Sequence, residues 1–124
     1  MSRKNKIIYW VATIWLALGM LSTGAVQLFG MKEEVEMIQH LGYPQYLLLI
    51  LGISKISGVI VVLAPKLSRL KEWAYAGFFF TMVGAIISHL AVNDPITKIL
   101  PCVLLLILIT VSWYFRPLER KLTT

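Results

Sequence analysis

Four stretches of this chain are apolar over lengths suited to a lipid bilayer, and most polar positions fall between them. The stretches cover about residues 7–29, 46–64, 73–92 and 96–115. A helix needs roughly 20 residues to cross ~30 Å of hydrocarbon, so the pattern predicts an all-α, four-helix membrane bundle. Between the first two stretches, residues 31–43 place Val35, Ile38 and Leu41 at helical spacing opposite Glu33, Glu36 and His40. That periodicity predicts a short amphipathic helix at the outer surface. Pro44 suits the first turn of the second helix and Pro65 stops it. Asn93-Asp94-Pro95 opens the fourth, where Asp94 is expected to cap the free N–H groups, and Pro101 should bend it two turns later. The first stretch follows three basic residues. It exceeds the ~7–15 residues of a signal-peptide core and lacks an A-x-A cleavage site, so it reads as a retained helix.

Composition agrees with one membrane domain over residues 1–124: 58% of residues are hydrophobic and 15% charged, against about 25% charged in soluble domains. The net charge of +6 does not point to nucleic acid, because the basic residues sit at the chain ends and in one loop rather than along a stripe. Arg3, Lys4 and Lys6, then Lys66, Arg69 and Lys71, then Arg116, Arg120 and Lys121 fall on one side of the predicted topology. The other side has Lys32 and Lys98. By the positive-inside rule both termini face the cytoplasm. Trp and Tyr pairs at residues 9–10, 73 and 75, and 113–114 mark the same boundary. Cys102 is the single cysteine, which excludes an internal disulfide and a Cys-x-x-Cys dithiol. Two histidines and scattered carboxylates have no metal-ligand spacing, so no metal is expected.

Lys55 lies near the middle of the second apolar stretch. A charge at that depth costs at least a few kcal/mol on insertion scales and by default faces a protein interior. Gly52, Lys55, Gly58 and Val59 share one arc of the second helix; Gly77, Thr81, Gly84 and Ser88 form a small, polar stripe on the third, with His89 at its edge. Tyr9, Thr13, Ala17, Met20, Gly24 and Gln27 line one face of the first. The fourth, almost uniformly aliphatic over residues 104–111, reads as packing. Small residues at helical spacing let helices approach closely in lipid, so all these faces are expected inside. Lys55, His89, Gln27, Ser88, Gly52 and Gly58 are thus the candidate ligand-binding set, around a pocket that opens outward. None of the six acidic residues lies at the depth of Lys55. Three balances are open: an outer-loop carboxylate such as Glu36 or Asp94 folds in, a ligand supplies the partner, or the amine is neutral. The plainer readings are that Lys55 snorkels to headgroups, that His89 is a neutral, hydrogen-bonded histidine, and that the intramembrane serines bond to their own helices. Lys66, Arg69, Lys71 and Glu72 form a candidate docking surface for a partner, with simple interfacial charge as its plain reading.

The run LGYPQYLLLILGISKISGVIVVLAP, and KEWAYAGFFFTMVGAIISHLAVND after it, resembles the DoxX-like family of four-helix bacterial membrane proteins. The likeness is carried by Leu41-Gly42-Tyr43-Pro44, by Lys55 between Gly52 and Gly58, by Pro65, by residues 71–77, by Ser88-His89 and by Asp94. It implies a multi-pass protein of the bacterial inner membrane. Some related proteins are linked to quinone-coupled oxidation of sulfur compounds and to oxidative-stress complexes, so a quinone is the cofactor the resemblance suggests. It transfers no catalytic residue. Three functions remain in view: a redox-associated subunit binding a quinone-like or other lipophilic molecule near Lys55 and His89, with a membrane or soluble redox partner; a non-catalytic scaffold docking a partner through its basic loop and tail; and a component of a transporter for an anionic substrate, which four helices would support as a homo-oligomer.

Overall fold

A computed structural model describes residues 2–117, which form five helices and no strand. They are α1 (Arg3–Leu28), α2 (Lys32–His40), α3 (Leu47–Leu63), α4 (Ser68–Ala91) and α5 (Ile96–Tyr114). Arg120 and Lys121, counted above in the basic tail, lie outside the described residues. Helices α1, α4 and α5 are long and apolar enough to cross a membrane. α3 is equally apolar but has 17 residues, about 26 Å of helix. The protein is an all-helical membrane protein in which α1, α3, α4 and α5 pack as a ring, each touching two neighbours, and the short α2 lies against α1 and α3.

Two helices begin earlier than the apolar pattern suggests. α1 starts at Arg3, where Ser2 caps it by accepting from the Asn5 amide at 3.1 Å. α4 starts at Ser68 rather than near 73, so Arg69, Lys71 and Glu72 belong to its first turns and not to a loop. Hydropathy registers only the apolar part of a helix, whereas backbone hydrogen bonding carries it into polar residues at either end. The predicted amphipathic helix forms as α2, with Ile38 buried and Glu33, Glu36 and His40 exposed.

The ends of α1, α2 and α4 nearest the α2 end of the ring close in the same way. In each, two successive amides reach back to the carbonyls that lack helical partners: Gly30 and Met31 to Gln27 and Val26, Gly42 and Tyr43 to Gln39 and Ile38, Asn93 and Asp94 to Leu90 and His89. The turn residue needs positive φ, and Gly30, Gly42 and Asn93 supply it at 64°, 89° and 58°. This turn brings the Asp94 side chain back over its own helix.

The core between the ends is apolar, built from Leu16 and Met20 of α1, Val59 and Val62 of α3, Phe78 and Met82 of α4, and Ile109 of α5. Glycines set the spacing on one side. A β-carbon at Gly52 would lie 2.8 Å from the carbonyl oxygen of Gly24, so α1 and α3 meet backbone to backbone. At Gly58 it would strike the Phe78 ring of α4 at 2.5 Å. The α4 stripe behaves otherwise. Gly77 is exposed, and a β-carbon at Gly77 or Gly84 would meet nothing within 4 Å. The packed face of α4 runs instead through Tyr75, Phe78, Met82, Ser88 and His89. Small residues permit close approach without requiring it, and here the large side chains of α4 make the contact.

Candidate functional site

Beneath α2 is a cavity of about 600 Å³ lined by all five helices. Its wall is largely apolar, with Met37, Leu41, Leu47, Leu51, Phe80 and Leu105, and carries a few polar groups. Four of the six residues singled out in the sequence line it: Lys55, His89, Gln27 and Ser88. Gly52 and Gly58 do not. They are packing glycines, holding α3 against α1 and against Phe78.

Lys55 is 6% exposed. Its Nζ donates to Thr23 Oγ1 at 3.3 Å, and Thr23 in turn donates to the Gly19 carbonyl at 3.0 Å. An ammonium has three donors, and this is the one protein hydrogen bond Lys55 makes among the described residues. The acid on the same cavity is Glu34 of α2. Of the outer-loop carboxylates considered above, neither Glu36 nor Asp94 lines this cavity. Glu34 lies one turn before the buried Ile38 and shares its inward face, while Glu36 points to the surface. Glu34 Oε2 is buried without a hydrogen-bond partner among the described residues, and so is Gln27 Oε1, on a residue 6% exposed.

Asp94 does not cap α5, whose first residue follows Pro95 with no side-chain cap. Its two oxygens accept from His89 Nδ1 at 2.6 Å and from His40 Nε2 at 2.7 Å. The hydrogen bond from His89, then that from His40, holds the Asp94 carboxyl below the usual carboxylate range, so it is ionised at neutral pH. An ionised carboxylate only accepts. Nδ1 of His89 therefore carries a proton, and a neutral His89 presents Nε2 as an acceptor. The same carboxylate ties α2, through His40, to the α4–α5 turn and so secures the roof of the cavity. Tyr43 adds another tie: its hydroxyl lies 2.6 Å from Ser88 Oγ, which spends its own proton on the Gly84 carbonyl at 2.8 Å, so Tyr43 is the donor.

The profile of the DoxX-like family matches residues 11–111. The chain belongs to the DoxX-like family. No curated protein and no solved structure matches it. The matched span contains the whole cavity, from Thr23 of α1 to Leu105 of α5.

This DoxX-like protein has a second polar cluster at the opposite end of the ring. Ser112 Oγ lies 2.6 Å from Thr13 Oγ1 and 2.7 Å from the Tyr75 hydroxyl, all buried. Lys71 is 1% exposed and donates to the carbonyls of Val61 and Ala64 at the end of α3. Glu72 binds Arg116 at 3.0 Å and accepts from Trp113 Nε1 at 2.9 Å. Of the four suggested docking residues, then, Lys66 and Arg69 stand exposed, while Lys71 and Glu72 bond within the protein.

Sequence reasoning missed Thr23, Glu34, Tyr43 and the partners of Asp94. Glu34 was legible in principle, because its spacing from Ile38 places both on one face of α2. Ser112, in a helix read as mere packing, could have been singled out as a hydroxyl at the depth of Tyr9 and Tyr75. The Asp94 pairing had no such signal, since it depends on how the turn after α4 folds.

Proposed function

We propose that this DoxX-like protein crosses the bacterial inner membrane four times, with both termini in the cytoplasm, and binds a lipophilic small molecule with a quinone-like head in the cavity beneath α2. It then serves as a redox-associated membrane subunit. The observation that carries this reading is a mostly apolar cavity holding a few convergent polar groups that the protein leaves open: the Lys55 ammonium, Gln27 Oε1, Glu34 Oε2 and His89 Nε2. Apolar walls with a few fixed polar groups are the usual make-up of a ligand site. Their complement is a flat apolar head with an oxygen to accept from Lys55 and two hydroxyls to donate to two of the three acceptors, as in a quinol. His89, backed by Asp94, is placed to take a proton from such a hydroxyl, and the carboxylate steadies the resulting imidazolium. The basic residues exposed at the terminal end, Lys66 and Arg69 among them, support the cytoplasmic placement of that end.

Purified protein in lipid nanodiscs should show a thermal shift with a short-chain benzoquinol, reduced at least tenfold in apparent affinity by Lys55→Met. A protein that shows no shift, together with a Lys55→Met variant of full activity in the cell, would overturn the reading.

A further inference from the structure

The cavity shares part of its wall with a second hollow on the outside of the ring. A groove of about 400 Å³ runs along the outside of the α3–α4 seam, between Leu51, Ser57 and Val61 on α3 and Trp73, Gly77 and Thr81 on α4. Leu51, Lys55 and Thr81 line both this groove and the cavity. Lys55, more than nine-tenths buried, is therefore the wall between them, reached from both sides. From Leu51 to Val61 the groove follows α3 for about 15 Å. The contrast with the neighbouring seam is physical: α1 and α3 touch through Gly24 and Gly52, whereas the small residues of α4 stand clear, with open space at Gly77 and Gly84.

We infer that the ligand of the cavity is a membrane-dissolved molecule with a hydrocarbon chain, which reaches Lys55 sideways from the bilayer and lays its chain in the α3–α4 groove. This rests on the cavity binding a quinone-like head, and it adds the tail and the route. The occupant follows from continuity: a groove that faces lipid at one side and meets the head site at Lys55 suits one molecule with a polar head and an apolar chain. Leu51, Val61, Leu70, Trp73 and Phe78 give it largely apolar walls that match a chain, and its small residues leave room for one. A water-soluble ligand would use no such groove.

Two benzoquinols with the same ring, one bearing a decyl chain and one none, separate the head from the tail. Binding of each to the full-length protein in nanodiscs is measured for the wild type and for Gly77→Leu, whose side chain enters the open groove and favours helix. The wild type should bind the tailed molecule at least tenfold more tightly, after correction for partitioning into lipid, and Gly77→Leu should remove most of that ratio. A ratio near one in the wild type, or a ratio unchanged in Gly77→Leu, overturns the groove while leaving the head site standing. Failure of the wild type to bind either molecule overturns the head site and this inference with it. A photoreactive group on the decyl chain gives an independent check. Adducts should concentrate in residues 51–61 and 70–81, and labelling spread evenly over the lipid-facing sides of α1 and α5 would overturn the assignment.

Discussion

The two ends of the ring handle buried polar groups in opposite ways. At the end where the chain begins, Thr13 and Tyr75 each hydrogen-bond to Ser112, and Lys71, 1% exposed, spends its charge on the last carbonyls of α3. At the α2 end, Lys55 makes one long hydrogen bond, while Gln27 Oε1 and Glu34 Oε2 make none among the described residues. Away from water a buried polar group costs free energy unless it is paired. Thr13, Tyr75, Ser112 and Lys71 thus behave as structural polarity paired within the fold, with Arg116 Nε the atom left over at that end, and the α2 end as polarity held ready for something outside it. Two buried lysines make the point sharply: residue type and burial are the same, and only the partners separate a helix-end fastener from a candidate binding group.

The largest effect should come from breaking the completed end. Lys71→Ala leaves the carbonyls of Val61 and Ala64 without their cation and should cost about 3 kcal/mol of stability, measured by reversible denaturation in bicelles. A loss below about 1 kcal/mol would erase the distinction between the two lysines. A matched pair of polar removals comes next. Ser112→Ala should cost about 2 kcal/mol, because Thr13 and Tyr75 lose a shared partner, and leave quinol affinity unchanged. Gln27→Leu, which removes an orphan oxygen, should change stability by no more than about 1 kcal/mol, in either direction, and weaken quinol binding about tenfold. The reverse outcome, with Gln27→Leu strongly destabilising, would place the α2 end with the structural one.

The smallest effect concerns the roof. Asp94 has a depressed carboxyl pKa in the folded protein, so its contribution is fully present above the unfolded value of about 4 and is lost as pH falls through the folded value. His40 and His89 face it directly, and Lys98 adds a weaker attraction. Melting temperature should therefore fall more steeply on acidification below pH 4 in the wild type than in Asp94→Asn. Parallel curves would remove the role of the carboxylate in securing α2.

What the amino-acid pattern determined by itself was the class of the protein and much of its inner surface. Helix length against bilayer thickness, the phase of residues on α1 and α3 and the cost of an intramembrane charge pick out Lys55, Gln27, Gly24 and Gly52 without any coordinates, because helical period and burial energy are local properties. The α2 segment was legible for the same reason. The tertiary structure alone decided which small residues make contacts: Gly52 and Gly58 pack, whereas Gly77 and Gly84, alike in sequence, stand open because the larger Tyr75, Phe78 and Met82 set the seat of α4. It also decided the partners of charges. Asp94 goes to two histidines, 5 and 54 residues away in the chain, and Glu34 to the cavity, since pairing depends on the way turns and helices converge in space rather than on spacing along one helix. The cavity and the groove beside it belong to that second kind of information, for an empty volume is a property of how helices fail to meet.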